Sequence, residues 1–215
     1  MTVRVLLVDD QAMFRAGIAM VLGSQTDLEV VGEAADGDQA LDLVATTWPD
    51  VVLMDLEMPV RDGVETTRAL VDRHGARAPK VLVLTTFDLD EAAAAAIEAG
   101  ASGFLLKSAD PELLLASVRA VASGSNVVAA GATRELWQRF RARPTLTPGP
   151  EYAALTARER EILARAAEGL SNAEIAVREH LAEGTVKVHV SRILSKLGLR
   201  DRVQLVVYAY EHGLA

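Results

Sequence analysis

The chain contains no cysteine, which excludes a disulfide framework and any thiolate metal site. No apolar run approaches the roughly 20 residues that a membrane-spanning helix needs. The N-terminus enters a strand pattern at once, Val3-Arg4-Val5-Leu6-Leu7-Val8, with no sign of a signal peptide. There is no internal repeat. A cytoplasmic protein with no membrane partner fits these absences.

What is present is apolar. Half of the 215 residues are hydrophobic, enough to bury a substantial core in one large domain or two small ones. Charge is unevenly spread. Residues 1–130 carry 9 Lys+Arg against 20 Asp+Glu, residues 131–150 carry 4 against 1, and residues 151–215 carry 9 of each. An acidic first part joined to a neutral second part predicts two domains with different partners.

Residues 1–123 alternate strand and helix signals. Strands are expected at 3–8, 28–34, 51–54, 80–84 and 103–106, with amphipathic helices at 11–23, 37–46, 63–74, 88–99 and 110–123. Five β/α units with short loops predict a parallel sheet covered by helices on both faces. At this length the pattern suits a doubly wound α/β fold whose switch point lies at strands one and three. The Pro-rich run Pro144-Thr145-Leu146-Thr147-Pro148-Gly149-Pro150 closes a linker over 124–150. A short helix is expected at 132–141, and none in the closing run. From 151 the pattern is all helical. Thr156 and Glu159 form a capping box, Ser171-Asn172 restarts a short helix, Glu183-Gly184-Thr185 opens a third, and Arg200-Asp201 leads into a fourth. Two short helices joined by a tight turn predict a helix-turn-helix.

The chemistry gathers at strand ends, where open α/β sheets place their ligands. Asp9 and Asp10 follow the first strand, and Asp55 follows Val51-Val52-Leu53-Met54. Three carboxylates at one rim repel one another unless a cation neutralises them. Few oxygen ligands with room for water and phosphate suit Mg2+, and a carboxylate beside Mg2+ can attack a phosphoryl group. Thr85 ends the fourth strand with a hydroxyl, and Lys107 ends the fifth with a positive charge for phosphate oxygens.

These residues resemble a known family. An acidic pair after strand one, Asp55 with Met58-Pro59 behind it, Thr85, Lys107 and the lead-in Gly100-Ala101-Ser102-Gly103-Phe104 look like the flavodoxin-like receiver domain of a two-component response regulator. The resemblance implies that Asp55 is the phosphoacceptor, phosphorylated by a sensor histidine kinase. Asp9, Asp10, Asp55 and the backbone carbonyl of Glu57 would hold Mg2+. Thr85 and Phe104 would be the switch pair, Thr85 moving and Phe104 rotating inward, while Lys107 contacts the phosphoryl group. One departure is Ser108 after Lys107, where the family has a proline in a cis peptide. A cis bond without proline costs about 2.5–4 kcal/mol.

Residues 151–215 resemble the LuxR-type helix-turn-helix of NarL/FixJ-class regulators through Leu155-Thr156-Ala157-Arg158-Glu159-Arg160-Glu161, Gly169-Leu170-Ser171-Asn172-Ala173-Glu174-Ile175-Ala176 and Gly184-Thr185-Val186-Lys187-Val188-His189-Val190. In the third helix Val186, Val190 and Ile193 pack inward. Lys187, Val188 and Ser191 face outward, where the family places groove contacts. Thr185, Arg192 and Lys196 are candidates for DNA phosphates. The turn departs from the family pattern, with Glu179 for a common Leu and Ala182 for a Ser or Thr N-cap, a cap Glu183 could partly replace. Glu179 is expected to remove a packing contact. The last helix, 201–212, either pairs two DNA-bound subunits, as in the family, or closes its own core. The whole reads as a homodimerising transcription factor for promoter DNA and not an enzyme. The enzyme alternative, a haloacid-dehalogenase-type phosphatase, needs a second Asp where Glu57 stands.

Overall fold

The computed structural model describes residues 2–86, 91–124, 127–128 and 146–214. The chain separates into two compact units, Met1–Ala129 and Ala130–Ala215. Among the described residues no helix is long and apolar enough to cross a membrane.

In the first unit, six strands form one parallel sheet: β1 (Val3–Val8), β2 (Leu28–Ala34), β3 (Val51–Asp55), β4 (Lys80–Thr85), β5 (Gly103–Leu106) and β6 (Val127–Val128). Their order is β2-β1-β3-β4-β5-β6, so the chain reverses direction across the sheet between β1 and β3. Five of these strands are the expected ones. The sixth is a two-residue addition that pairs with β5 inside the stretch expected to be linker. Two β-branched residues next to an otherwise unpaired edge are enough to extend a ladder. The helix expected at 132–141 lies outside the described residues.

The helices are α1 (Ala12–Gly23), α2 (Gly37–Thr47), α3 (Gly63–His74), α4 (Glu91–Glu98) and α5 (Pro111–Ala122). Alternation in the strands sends side chains to opposite faces. Val5, Leu7, Leu53, Leu82, Leu84 and Leu105 form one buried cluster with Ile18 and Leu22 of α1 and Leu114 and Val118 of α5. Asp36, Asp62 and Asp110 cap α2, α3 and α5 by accepting from the backbone N–H groups of Gln39, Glu65 and Leu113. Gly63 starts α3 so close to β3 that a Cβ there would fall onto the Asp55 carbonyl oxygen. That close approach sets the path of the loop behind Asp55.

The second unit contains α6 (Pro150–Ala153), α7 (Ala157–Ala167), α8 (Asn172–Arg178), α9 (Glu183–Leu197) and α10 (Arg202–Glu211). The last four are the expected helices. The first is a short turn that lies in the part read as helical except for Pro150, the last residue of the run expected to form no helix. Proline suits the first helical position, where its missing N–H has no partner to lose, and Pro150 occupies that position. Capping boxes start α7 (Thr156 with Glu159) and α8 (Ser171 with Glu174), and Gly198 ends α9 at φ 67°. Ile162, Leu163, Ile175, Val186, Ile193 and Leu205 are buried. Val203, Val206, Val207 and Tyr210 of α10 are buried too, and the Tyr210 hydroxyl donates to the Ala167 carbonyl at 3.3 Å. In this structure α10 serves its own core.

Candidate functional site

The switch point brings the ends of β1 and β3 side by side, with Val8 opposite Met54. The next residues along each strand are carboxylates. Asp9 and Asp55 are buried, Asp10 is exposed, and one oxygen from each lies within 4.8 Å of the others. Asp55 Oδ1 accepts from the Leu56 N–H at 2.8 Å, and Asp9 Oδ1 accepts from the Gln11 N–H at 2.8 Å. Both carboxylates are therefore aimed by local backbone before any distant partner acts on them.

Lys107 supplies the distant partner. Its Nζ lies 2.7 Å from Asp9 Oδ2 and 2.8 Å from Asp55 Oδ2. The Asp55 contact is a directed hydrogen bond, whereas Asp9 Oδ2 meets the ammonium only as an ion pair. Burial pushes the Asp55 carboxyl up from the ordinary aspartate range, against the opposing pull of Lys107. Burial weakens the basicity of Lys107, but its contacts with Asp55 and Asp9 outweigh that and hold the ammonium above its usual value. One lysine faces three carboxylates, so the pocket keeps a negative excess. Hard oxygen donors at this spacing fit a divalent cation such as Mg2+.

Thr85 ends β4, buried, and its carbonyl accepts from the Lys107 N–H at 2.7 Å. The fourth and fifth strand ends are thus tied together at the rim. Phe104 is 1 % exposed and is among the largest fully buried side chains. The expected inward rotation of Phe104 has no outward starting point here: the ring already fills the core. Glu57 lies in the β3–α3 loop with its side chain exposed. The Lys107–Ser108 peptide is trans, since the described residues contain no cis bond.

Three residues at this rim carry no signal in the sequence pattern. Phe14 of α1 places its ring 4.9 Å from Lys107 Nζ, a cation–π contact. Arg15 donates to the Asp9 carbonyl at 2.6 Å. Their place in the first turn of α1, directly behind the acidic pair, was the available clue. Val60 sits in the loop beyond Asp55 at φ 68°, 80 % exposed. Nothing in its residue type announces a left-handed backbone.

In the second unit, Val186, Val190, Ile193 and Leu197 of α9 point inward, buried. Thr185, Lys187, Val188, Ser191 and Arg192 lie on the exposed face. Lys187 Nζ pairs with Glu183 one turn back at 3.1 Å, a solvated contact worth little. Lys196, expected at a phosphate, is held elsewhere. Its ammonium lies 2.7 Å from Glu159 Oε2 and 3.2 Å from the Ala154 carbonyl. Glu159 is 3 % exposed, and that ammonium, with the Thr156 N–H, holds its carboxyl down at about 2. A buried carboxylate claims the nearest lysine more strongly than solvent does. Ala182 makes no side-chain cap for α9, and Glu183 does not replace it.

Comparison with known proteins bears on both units. The family described as response regulator receiver domain matches residues 5–119, and bacterial regulatory proteins of the luxR family match residues 153–209. The response regulator protein VraR of Staphylococcus aureus is 41% identical over 214 residues, covering 100% of this chain and 99% of that protein. The crystal structure of response regulator ChrA, from a heme-sensing two-component system, is 39% identical with a TM-score of 0.54, covering 100% of this chain and 99% of ChrA. A LuxR-family two-component response regulator from Aurantimonas sp. SI85-9A1 is 34% identical over 65% of this chain and 98% of its own, with a TM-score of 0.60.

Proposed function

This chain belongs to the two-component response regulators, a receiver domain followed by a LuxR-type DNA-binding domain, and we propose that phosphorylation of Asp55 controls its DNA binding. A sensor histidine kinase is the phosphodonor, and the protein works in the cytoplasm. The observation that carries the reading is the meeting of Asp9, Asp10 and Asp55 with Lys107 at the carboxyl end of the sheet.

Asp9, Asp10 and Asp55, with the Glu57 carbonyl, are the residues that would hold Mg2+, which when bound neutralises the carboxylates and the incoming phosphoryl oxygens. A carboxylate oxygen of Asp55 attacks phosphorus in the phosphohistidine. The P–N bond breaks, its electron pair stays on the imidazole, which takes up a proton, and a mixed anhydride forms on Asp55. The N–H of Leu56 and the ammonium of Lys107 orient the attacking carboxylate. Lys107 then follows the new charge to the phosphoryl oxygens, and Thr85 offers its hydroxyl from the end of β4. Lys107 leaves Asp9 as it does so, and the tie between its N–H and the Thr85 carbonyl carries the change along β4 and β5.

The readout is DNA. Thr185, Lys187, Val188, Ser191 and Arg192 form the face of α9 that enters a major groove, with Val188 available to a thymine methyl group. Two copies pair on a twofold site when the receiver is phosphorylated. The test uses the full-length protein with Mg2+ and acetyl phosphate. Intact mass should rise by one phosphoryl group, Asp55→Asn should abolish that rise, and affinity for a selected DNA site should increase only in the phosphorylated wild type. Equal DNA affinity with and without the phosphoryl group would refute the coupling. Steady turnover of phosphate monoesters would favour the phosphatase alternative.

A further inference from the structure

The turn between α8 and α9 carries a charge where an apolar residue was expected, and the structure gives that charge two partners. Glu179 follows α8 directly. Its Oε2 accepts from Arg158 Nη1 at 2.6 Å, and its Oε1 accepts from Arg165 Nε at 2.9 Å. Arg158 also donates from Nη2 to the Glu179 carbonyl at 2.8 Å. Both arginines stand on α7, two turns apart, so they share one face. The Glu179 side chain is only 13% exposed. The pattern continues outward: Arg158 pairs with Glu161, Arg165 with Glu168, and Glu168 with Arg178 of α8. Charges alternate along the whole row.

Isolated solvent-exposed pairs do little, because each must immobilise two long side chains in high dielectric. This arrangement differs in geometry. One shielded carboxylate is shared by two guanidinium groups, and the backbone carbonyl of the same residue is held as well. Such contacts are directional, whereas an apolar side chain holds its neighbours by shape alone. The turn they pin is tight: His180 takes a left-handed φ of 54°, and α9 begins three residues later. Small errors in that turn swing the whole of α9.

We infer that Glu179 is a positioning residue for DNA reading, its carboxylate clamping the α8–α9 turn to Arg158 and Arg165 and thereby setting the angle at which α9 is presented. The inference rests on the reading of α9 as the groove helix. It explains how this chain keeps a defined turn with a charge where the family pattern commonly has a leucine.

The test uses the full-length protein with Mg2+ and acetyl phosphate, and a DNA site selected by the wild type from random oligonucleotides. Affinity for that site and for random DNA is measured for the wild type, Glu179→Ala, Arg165→Ala, their double variant and Glu179→Gln, beside thermal melts. Glu179→Ala is expected to lose about tenfold in affinity for the selected site and less than about twofold for random DNA. The double variant should bind no worse than Glu179→Ala, because the two residues act as one unit. Glu179→Gln, which keeps the volume and one acceptor, should lose about threefold on the selected site alone, and it carries the comparison if the alanine variant melts below the assay temperature. A merely structural role lowers the melting temperature and leaves the ratio of selected to random affinity unchanged; that result in both variants overturns the inference. A wild-type chain that selects no DNA overturns the reading of α9 itself, while selection by the wild type with equal binding by the variants overturns only the clamp.

Discussion

Replacing Lys107 by methionine separates the two electrostatic roles assigned to the acidic pocket. The substitution keeps most of the side chain's length and deletes the charge, and with it the cation–π contact to Phe14. The side chains concerned are shielded: Lys107 is 8% exposed, Asp9 4% and Asp55 6%. Removing one partner of a buried ion pair costs about 3–5 kcal/mol, because the other charge is left desolvated. Two relaxations reduce that figure here. Asp10 is exposed, so water reaches the mouth of the pocket, and Asp55, its carboxyl already pushed up by burial, can take a proton. The expected loss in metal-free buffer is therefore about 2–3 kcal/mol. Mg2+ should repair it. An ion present at a hundredfold excess over its dissociation constant stabilises the folded state by about 2.7 kcal/mol. In the wild type the ion shares Asp9 and Asp55 with the ammonium and meets its positive charge, so it binds less tightly and its stabilisation at a given concentration is smaller. Hydrogen exchange of peptides covering β1 and β3, with Mg2+ and with chelator, reads both numbers. A variant that equals the wild type in chelator, or that Mg2+ protects no more than the wild type, would refute the assigned role of the Lys107 charge.

Val60→Gly should stabilise the first unit by about 1 kcal/mol, because a β-branched residue at φ 68° pays the left-handed penalty and this one, 80 % exposed, loses no packing when shortened; urea unfolding of both forms measures it, and a destabilised glycine variant would show that the loop is held by contacts of the valine. Glu159→Gln should cost the second unit about 1–2 kcal/mol at pH 7, a figure reduced for the partial exposure of Lys196. The sign follows from the depressed carboxyl: its stabilisation is complete above the ordinary value of 4.5 and drains as pH falls through about 2. Thermal melts of the two proteins should therefore differ at pH 7 and converge near pH 2, and a constant difference would exclude the Lys196 pair as the cause.

The parts of this structure legible in the sequence are those specified locally. Each of the first five strands is a short apolar run, and α2, α3, α5, α7, α8 and α10 each begin at a capping side chain, so their limits need no tertiary information. The convergence of Asp9, Asp10 and Asp55 was readable for the same reason: a parallel sheet of this order has one switch point, and all three residues sit at strand ends facing it. What escaped depends on partners remote in sequence. Nothing near Lys196 announces that Glu159 will take its charge, and nothing near Glu179 announces two arginines from α7. The short elements escaped differently. Strand β6 is two residues of edge pairing, and α6 is a single turn begun by a proline, both below the length at which periodicity speaks.

The two units handle charge in opposite ways, and the difference matches their proposed work. The pocket of the first is left unbalanced: one ammonium answers three carboxylates, so a cation and then a phosphoryl group meet a site already prepared for them. The second unit closes its charges in pairs. Arg158, Arg165 and Arg178 are taken by glutamates, and Lys196 is taken by Glu159. Cations so committed do not release counterions from DNA without first breaking a protein contact, so the sequence-independent part of the affinity is expected to be small. On the proposed reading, discrimination then falls to the outer face of α9, and strength to doubling that face. A domain with weak attraction for random DNA gains the most from a partner copy, since pairing adds a second reading of the site without a matching rise in background binding. That is the condition under which control of pairing by one aspartate in the other unit becomes control of a promoter.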